Sequence, residues 1–134
     1  MGAAENIQTL KSVYEAFGRA DLDAILAVVA DDVDWGTDTS SEQAPWWGIR
    51  TGKEAVAQFF VDLAKATETT EFTPLAFAAN DDGDVMSVVR YGARMRETGK
   101  TAQMNIHHWF QFRDGKISRY RGTEDTAIVL AALA

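Results

Sequence analysis

Apolar residues recur along this chain with two different periods, and the change of period separates a helical first half from a stranded second half. Ile7, Leu10, Tyr14 and Phe17 return at spacings of three and four, which stacks them on one helix face while Glu5, Lys11 and Glu15 face water. The pattern stops near Gly18. Asp21 stands where an N-cap belongs, and Leu22, Ile25, Leu26 and Val29 predict a second short amphipathic helix that ends before Asp31. Val33 to Trp35 reads as a short extended piece. Gly36 to Arg50 is an irregular stretch holding Pro45, Trp46 and Trp47, and a third helix opens at Thr51 or Gly52, runs through Val56, Phe59, Phe60 and Leu63, and ends at Thr67 to Thr70.

From residue 70 the period falls from 3.6 to 2. Turn signals at Asp82-Gly83, Thr98-Gly99 and Asp114-Gly115 cut the remainder into four long strands, which predicts an antiparallel meander. A two-residue turn at Thr98-Gly99 sets Met95 opposite Ala102, Ala93 opposite Met104, Tyr91 opposite Ile106 and Val89 opposite His108, all on one face. Their alternates, among them Arg90, Arg94, Arg96, His107 and Trp109, make a polar, basic outer face. The last hairpin closes either as a two-residue turn or as a three-residue loop with Gly115 left-handed. The three-residue loop is expected. It turns Ser118, Tyr120, Gly122 and Glu124 inward with Tyr120 across from His108, and it leaves Arg119 and Arg121 in water, whereas the other closure would bury two guanidinium groups. Ile128 to Leu133 form an apolar tail that closes one end or packs on a partner.

The 134 residues are 46% hydrophobic, which fits one globular domain over residues 1–134. The net charge of −7 is unevenly spread, with 16 acidic and 5 basic residues before position 85 against 4 and 8 after it. The acidic balance argues against nucleic acid, whose backbone is bound by clustered Lys and Arg. With no cysteine there is no disulfide, thiolate metal site or cysteine nucleophile. Met1 to Asn6 lack the basic and apolar character of a leader, and no apolar run approaches the roughly 20 residues that span a bilayer, so no membrane partner and a cytoplasmic location are expected. No phosphate loop, Gly-x-Ser-x-Gly elbow or dinucleotide fingerprint appears, and His107 and His108 point to opposite sheet faces with no third ligand in register. Neither a cofactor nor a metal is expected.

Helices followed by antiparallel strands imply an α+β cone, with three N-terminal helices packed on a curved, mostly antiparallel sheet of four to six strands around a pocket. His108 falls on the inner face among Val89, Tyr91, Ile106 and Phe110, where it can donate, accept or shuttle a proton, or serve as a core histidine bonded to Tyr120. Glu124 is the second inward polar candidate, a base or substrate-orienting group, or else the cap of a tail helix beginning near Asp125. Trp35, Trp46, Trp47, Phe59, Phe60 and Tyr91 offer flat apolar walls. Adjacent tryptophans cannot both point inward on regular geometry, so one of Trp46 and Trp47 is expected as a lid or a partner contact.

The runs Asp21-Leu22-Asp23-Ala24-Ile25, Ala30-Asp31-Asp32-Val33, Gly52-Lys53-Glu54-Ala55-Val56 and Phe112-Arg113-Asp114-Gly115-Lys116-Ile117 resemble the SnoaL-like polyketide cyclases. These belong to the nuclear transport factor 2-like superfamily, with the ketosteroid isomerases and limonene epoxide hydrolases. The runs span nearly the whole chain but are structural punctuation, which specifies a fold better than a reaction. The resemblance implies cofactor-free proton transfer of isomerase, cyclase or lyase type on a small hydrophobic carbonyl or polyketide-like substrate. The alternative is a non-catalytic module of the same fold that binds a hydrophobic ligand or dimerises. It implies a homodimer through the outer sheet face, here Arg90, His107, Trp109, Arg119 and Arg121. In ketosteroid isomerases a carboxylate takes a proton beside a carbonyl while a Tyr and a protonated carboxylic acid hold the enolate oxygen. Here Thr37 aligns with that base, with Asp38 next to it; Val13 aligns with the Tyr, with Tyr14 next to it; and His108 replaces the acid. The acidic residue of SnoaL-like cyclases on the last strand aligns near Tyr120. The catalytic candidates are His108, Tyr120, Asp38 and Glu124, and the ligand contacts Tyr14, Trp35, Trp47, Phe60, Tyr91 and Phe110.

Overall fold

The computed structural model describes residues 2–134. Helix α1 (Ala3–Gly18) buries Leu10, Val13 and Tyr14 along its apolar face. Helix α2 (Leu22–Leu26) is capped by Asp21, whose carboxylate accepts from the Ala24 N–H at 3.1 Å. It is shorter than its periodicity predicts, because strand β1 (Val29–Thr37) begins at Val29, which is fully buried and paired with Ile117. A distant partner for β-branched residues overrides a local helical pattern. Strand β2 (Ile49–Thr51) pairs antiparallel with β1, and helix α3 (Lys53–Ala66) buries Val56, Phe59 and Leu63.

The long strands β3 (Thr67–Ala79), β4 (Asp84–Met95), β5 (Thr101–Arg113) and β6 (Lys116–Thr123) form the expected meander, and β1 joins it parallel to β6. The six strands run β2-β1-β6-β5-β4-β3. Pro74 sits on the edge strand β3, where a missing N–H costs no ladder bond. Helix α4 (Thr126–Leu133) packs on β5 and β4 and buries Val129 and Ala132. Its cap is Asp125, which accepts from the Ile128 N–H at 3.2 Å, and not Glu124.

Both expected hairpin closures are corrected. Between β4 and β5 the Met95 N–H donates to the Lys100 carbonyl at 2.8 Å, and Gly99, at φ +76°, closes a four-residue loop. Tyr91 therefore faces Met104, Val89 faces Ile106, and Ser87 faces His108. The slip is two residues, so every side chain keeps its face. Between β5 and β6 the turn has two residues, with Asp114 and Gly115 both at positive φ, as the twist of a two-residue hairpin demands. A bulge at Ser118 then restores the phase: Phe112 faces Ile117, but Gln111 faces Arg119 and Phe110 faces Tyr120. Arg119 and Arg121 still point outward, and His108 lies across from Gly122, not Tyr120.

The outer face is also less basic than its arginines suggest. Arg121 donates to both oxygens of Asp34 at 2.9 and 3.0 Å, and Arg119 lies 3.7 Å from the same carboxylate. Glu68 stands 4.0 Å from Arg94 and 3.9 Å from Arg96. Among the described residues no helix is long and apolar enough to cross a membrane.

Candidate functional site

A cavity of about 80 Å³ lies between α1, α3 and the inner sheet face. Of the expected contacts, Tyr14, Trp35, Phe60, Tyr91 and Phe110 line it; Trp47 does not, and Trp46 takes its place. Among the described residues no Lys or Arg reaches the walls, and Glu124 is the one carboxyl group there. No group of three or more potential metal-ligating side chains is assembled among the described residues.

Glu124 follows the last residue of β6, where the chain turns toward α4. Its Oε1 accepts from the indole N–H groups of both Trp46, at 2.9 Å, and Trp47. This explains how two adjacent tryptophans are both buried: the loop is irregular, and a single oxygen collects both donors. Neither tryptophan is an exposed lid, contrary to expectation. Both donors converge on Oε1, and Oε2 has no partner among the described residues. Burial pushes the Glu124 carboxyl above the usual carboxylate range, and the indole donors only partly offset it.

At another point two wall side chains, Tyr14 and His108, are satisfied together with Ser87, which does not itself line the cavity. The Tyr14 hydroxyl lies 2.7 Å from His108 Nδ1 and 2.5 Å from Ser87 Oγ. Ser87 can donate to Tyr14 and Tyr14 to Nδ1, or the chain can run the other way; either direction satisfies both contacts. Tyr14, not Tyr120, is thus the partner of His108. Burial, and secondly the neighbouring His107, lower the His108 pKa to about 3, so the ring is neutral at pH 7. Burial raises the Tyr14 phenol above its ordinary value, which keeps the hydroxyl protonated. Ser87 escaped the sequence reading, although it interrupts the inward run Val85, Ser87, Val89 as its one hydroxyl.

Tyr120 lies beneath Trp35, with ring centroids 4.3 Å apart, and meets the His108 ring edge-on at 5.3 Å. The Tyr120 ring folds over Gly122, where any Cβ would overlap its hydroxyl. That hydroxyl makes no hydrogen bond among the described residues, and burial, then the charge of Glu124, raise its pKa. Asp38 is not brought to the cavity. Thr37 takes the inward position, while Asp38 is exposed in a surface groove with His107 and Arg121, its N–H donating to the Gly122 carbonyl at 2.7 Å. A one-residue step along a strand reverses the face.

The geometry can be set beside known structures. A nuclear transport factor 2-like protein from Burkholderia xenovorans is 26% identical, with a TM-score of 0.88 over 100% of this chain and 99% of its own. A proposed polyketide cyclase from Xanthomonas campestris is 23% identical, with a TM-score of 0.81 over 100% of both chains. TerC, co-crystallised with polyporic acid, is 22% identical, with a TM-score of 0.85 over 96% of this chain and 98% of its own. The last two likenesses establish the fold alone. No match was found among functionally curated proteins. The SnoaL-like domain pattern matches residues 10–120, from the buried face of α1 to Tyr120 of β6, and the chain belongs to the SnoaL-like family of the nuclear transport factor 2-like superfamily.

Proposed function

We propose that this protein moves a proton on a small, mostly apolar carbonyl substrate, in the manner of an isomerase or cyclase, with Glu124 as the acid–base group. The observation that carries the reading is the state of Glu124. It is a cavity-lining carboxyl group with one oxygen fixed by two indoles and the other unpartnered among the described residues, and with no cation beside it. Burial brings its pKa closer to working pH, where a carboxyl group gives and takes protons efficiently. The Tyr120 hydroxyl and, with Nδ1 accepting from Tyr14, the Nε2–H of His108 supply hydrogen bonds to a substrate oxygen. The aromatic walls and the lack of a basic side chain favour a neutral substrate, since a buried anion would have no counter-charge. A solved neighbour proposed to be a polyketide cyclase agrees with this class.

The test is exchange of α-protons from a panel of small ketones in D2O, followed by NMR. Wild-type protein accelerates the exchange, and Glu124→Gln, which still accepts from both indoles, abolishes most of the acceleration. Equal exchange by the two proteins would leave the cavity as a binding module. We also assign the homodimer surface to the outer sheet face, where Met86 and Trp109 are exposed beside Arg119. Sedimentation at micromolar concentration is expected to give a dimer that Trp109→Glu dissociates; a wild-type monomer removes the assignment.

A further inference from the structure

Two voids meet on the helical side of the molecule. The inner cavity, at about 80 Å³, is roughly half the ~150 Å³ that admits benzene in an apolar interior, so a ring or a longer chain must find room elsewhere. Beside it lies a groove of about 360 Å³ between α2, the C-terminal half of α3 and the start of β3. The two voids share Phe17, Phe60 and Leu63 as a common wall. Beyond that wall the groove is floored by Leu22, Ile25, Val61 and Ala64, and its far end is bounded by Arg96, whose Nε donates to the Ala64 carbonyl at 3.0 Å.

Phe60 stands in this shared wall, held by aromatic packing on Phe59 at 5.0 Å and Trp35 at 5.8 Å between ring centroids. Its ring is only partly buried and lies 6.1 Å from Phe17 at 48°, a tilted contact. The other walls are helix α1, tied to the sheet through Tyr14, the remainder of α3, the hydrogen-bonded strands and the tryptophan loop anchored on Glu124. Phe60 can turn without breaking a hydrogen bond.

We infer that the groove is a second compartment of the ligand site, partitioned from the first by Phe60. The substrate it fits is elongated, with its oxygenated end beside Glu124 and Tyr120 and an unbranched apolar chain over Leu22, Ile25, Val61 and Ala64. The inference rests on the carbonyl reading of the cavity and adds chain length as the selected property.

The experiment titrates straight-chain methyl ketones of increasing length against the full chain, by calorimetry and by the fluorescence of the cavity tryptophans. Kd is expected to fall about fourfold per added methylene, continuing past the length that the inner cavity holds. Ala64→Phe fills the groove without touching the cavity; it halts the gain for long ketones and leaves short ones unchanged. Should that variant fold poorly, Val61→Phe obstructs the same floor from one helical turn away. A Kd that stops improving at the short ketones, or a length dependence that both filling variants leave intact, overturns the compartment while the Glu124-dependent exchange of short ketones stands. Failure of ketones of every length to bind overturns the compartment and the reading beneath it together.

Discussion

The two polar stations of the cavity wall are built differently. Ser87, Tyr14 and His108 come from three elements and close on one another at 2.5 and 2.7 Å. Glu124 receives two donors on one oxygen and offers the other. Burial drives both titratable groups toward neutrality, with opposite chemical results. It lowers His108 to about 3, which makes the imidazole a weak proton acceptor, and it raises Glu124 toward the range where a carboxyl group exchanges protons readily. The histidine that stands out in the sequence is the better anchored of the two, and the glutamate that resembles a helix cap is the better placed for chemistry.

The largest effect that tests this contrast is on turnover. Glu124→Gln is expected to reduce ketone α-proton exchange by about 10²- to 10⁴-fold, the usual range for loss of a general acid–base group, while Ser87→Ala stays within about tenfold of wild type. Comparable losses in the two variants would mean that the Ser87 chain takes part in the proton transfer. Exchange by wild type should also fall as pH drops through the Glu124 pKa, which lies above the ordinary 4.5.

Stability gives the next largest effect, and here the order reverses. Tyr14→Phe removes the hydroxyl between Ser87 and His108 and is expected to cost about 1–3 kcal/mol in urea denaturation, because two inward polar groups lose their partner. His108 adds a pH dependence. Its folded pKa of about 3 lies below the unfolded value of 6.5, so the unfolded chain binds more protons in between, and stability falls as pH drops from 6.5 toward 3. His108→Gln is expected to flatten that slope. His108 is only partly buried, so water relieves some of the cost and the slope stays shallower than the full shift implies. A slope that His108→Gln leaves intact would place the acid sensitivity elsewhere.

The contrast also marks where reading the sequence worked. Alternation put Tyr91, Ile106, Phe110 and Tyr120 on the inner face, and two-residue slips in both sheet hairpins left that assignment intact, because side-chain direction depends on parity alone. Cross-strand partners depend on register itself, so the supposed His108–Tyr120 pair became His108 and Gly122. The Ser118 bulge was illegible for the same reason: it reconciles a tight turn with two outward arginines, and no local pattern announces an extra residue. The Glu124 site was hidden more deeply. Trp46 and Trp47 stand about 78 positions from it in an irregular loop, where periodicity predicts nothing, and only the closed fold brings them onto one oxygen. The parallel pairing of β1 with β6 joins residues just as distant, and it carries the chain end that delivers Glu124.

The smallest effect isolates those two indoles. Each donates to the carboxylate and so favours its charged form, opposing the burial that raises its pKa. Trp47 does not line the cavity, so Trp47→Phe removes one donor while the inner walls stay as they are. The pH midpoint of ketone exchange is then expected to move upward by up to about one unit, the equivalent of ~1.4 kcal/mol, with little loss of the plateau rate above the midpoint. Trp46→Phe should give the same upward direction but also alter ketone affinity, because Trp46 is itself part of the wall. An unchanged midpoint in both variants would show that burial alone sets the ionisation of Glu124 and that the tryptophans only pack. A downward shift would mean that the indoles stabilise the protonated acid, which would make Glu124 a proton donor in its resting state.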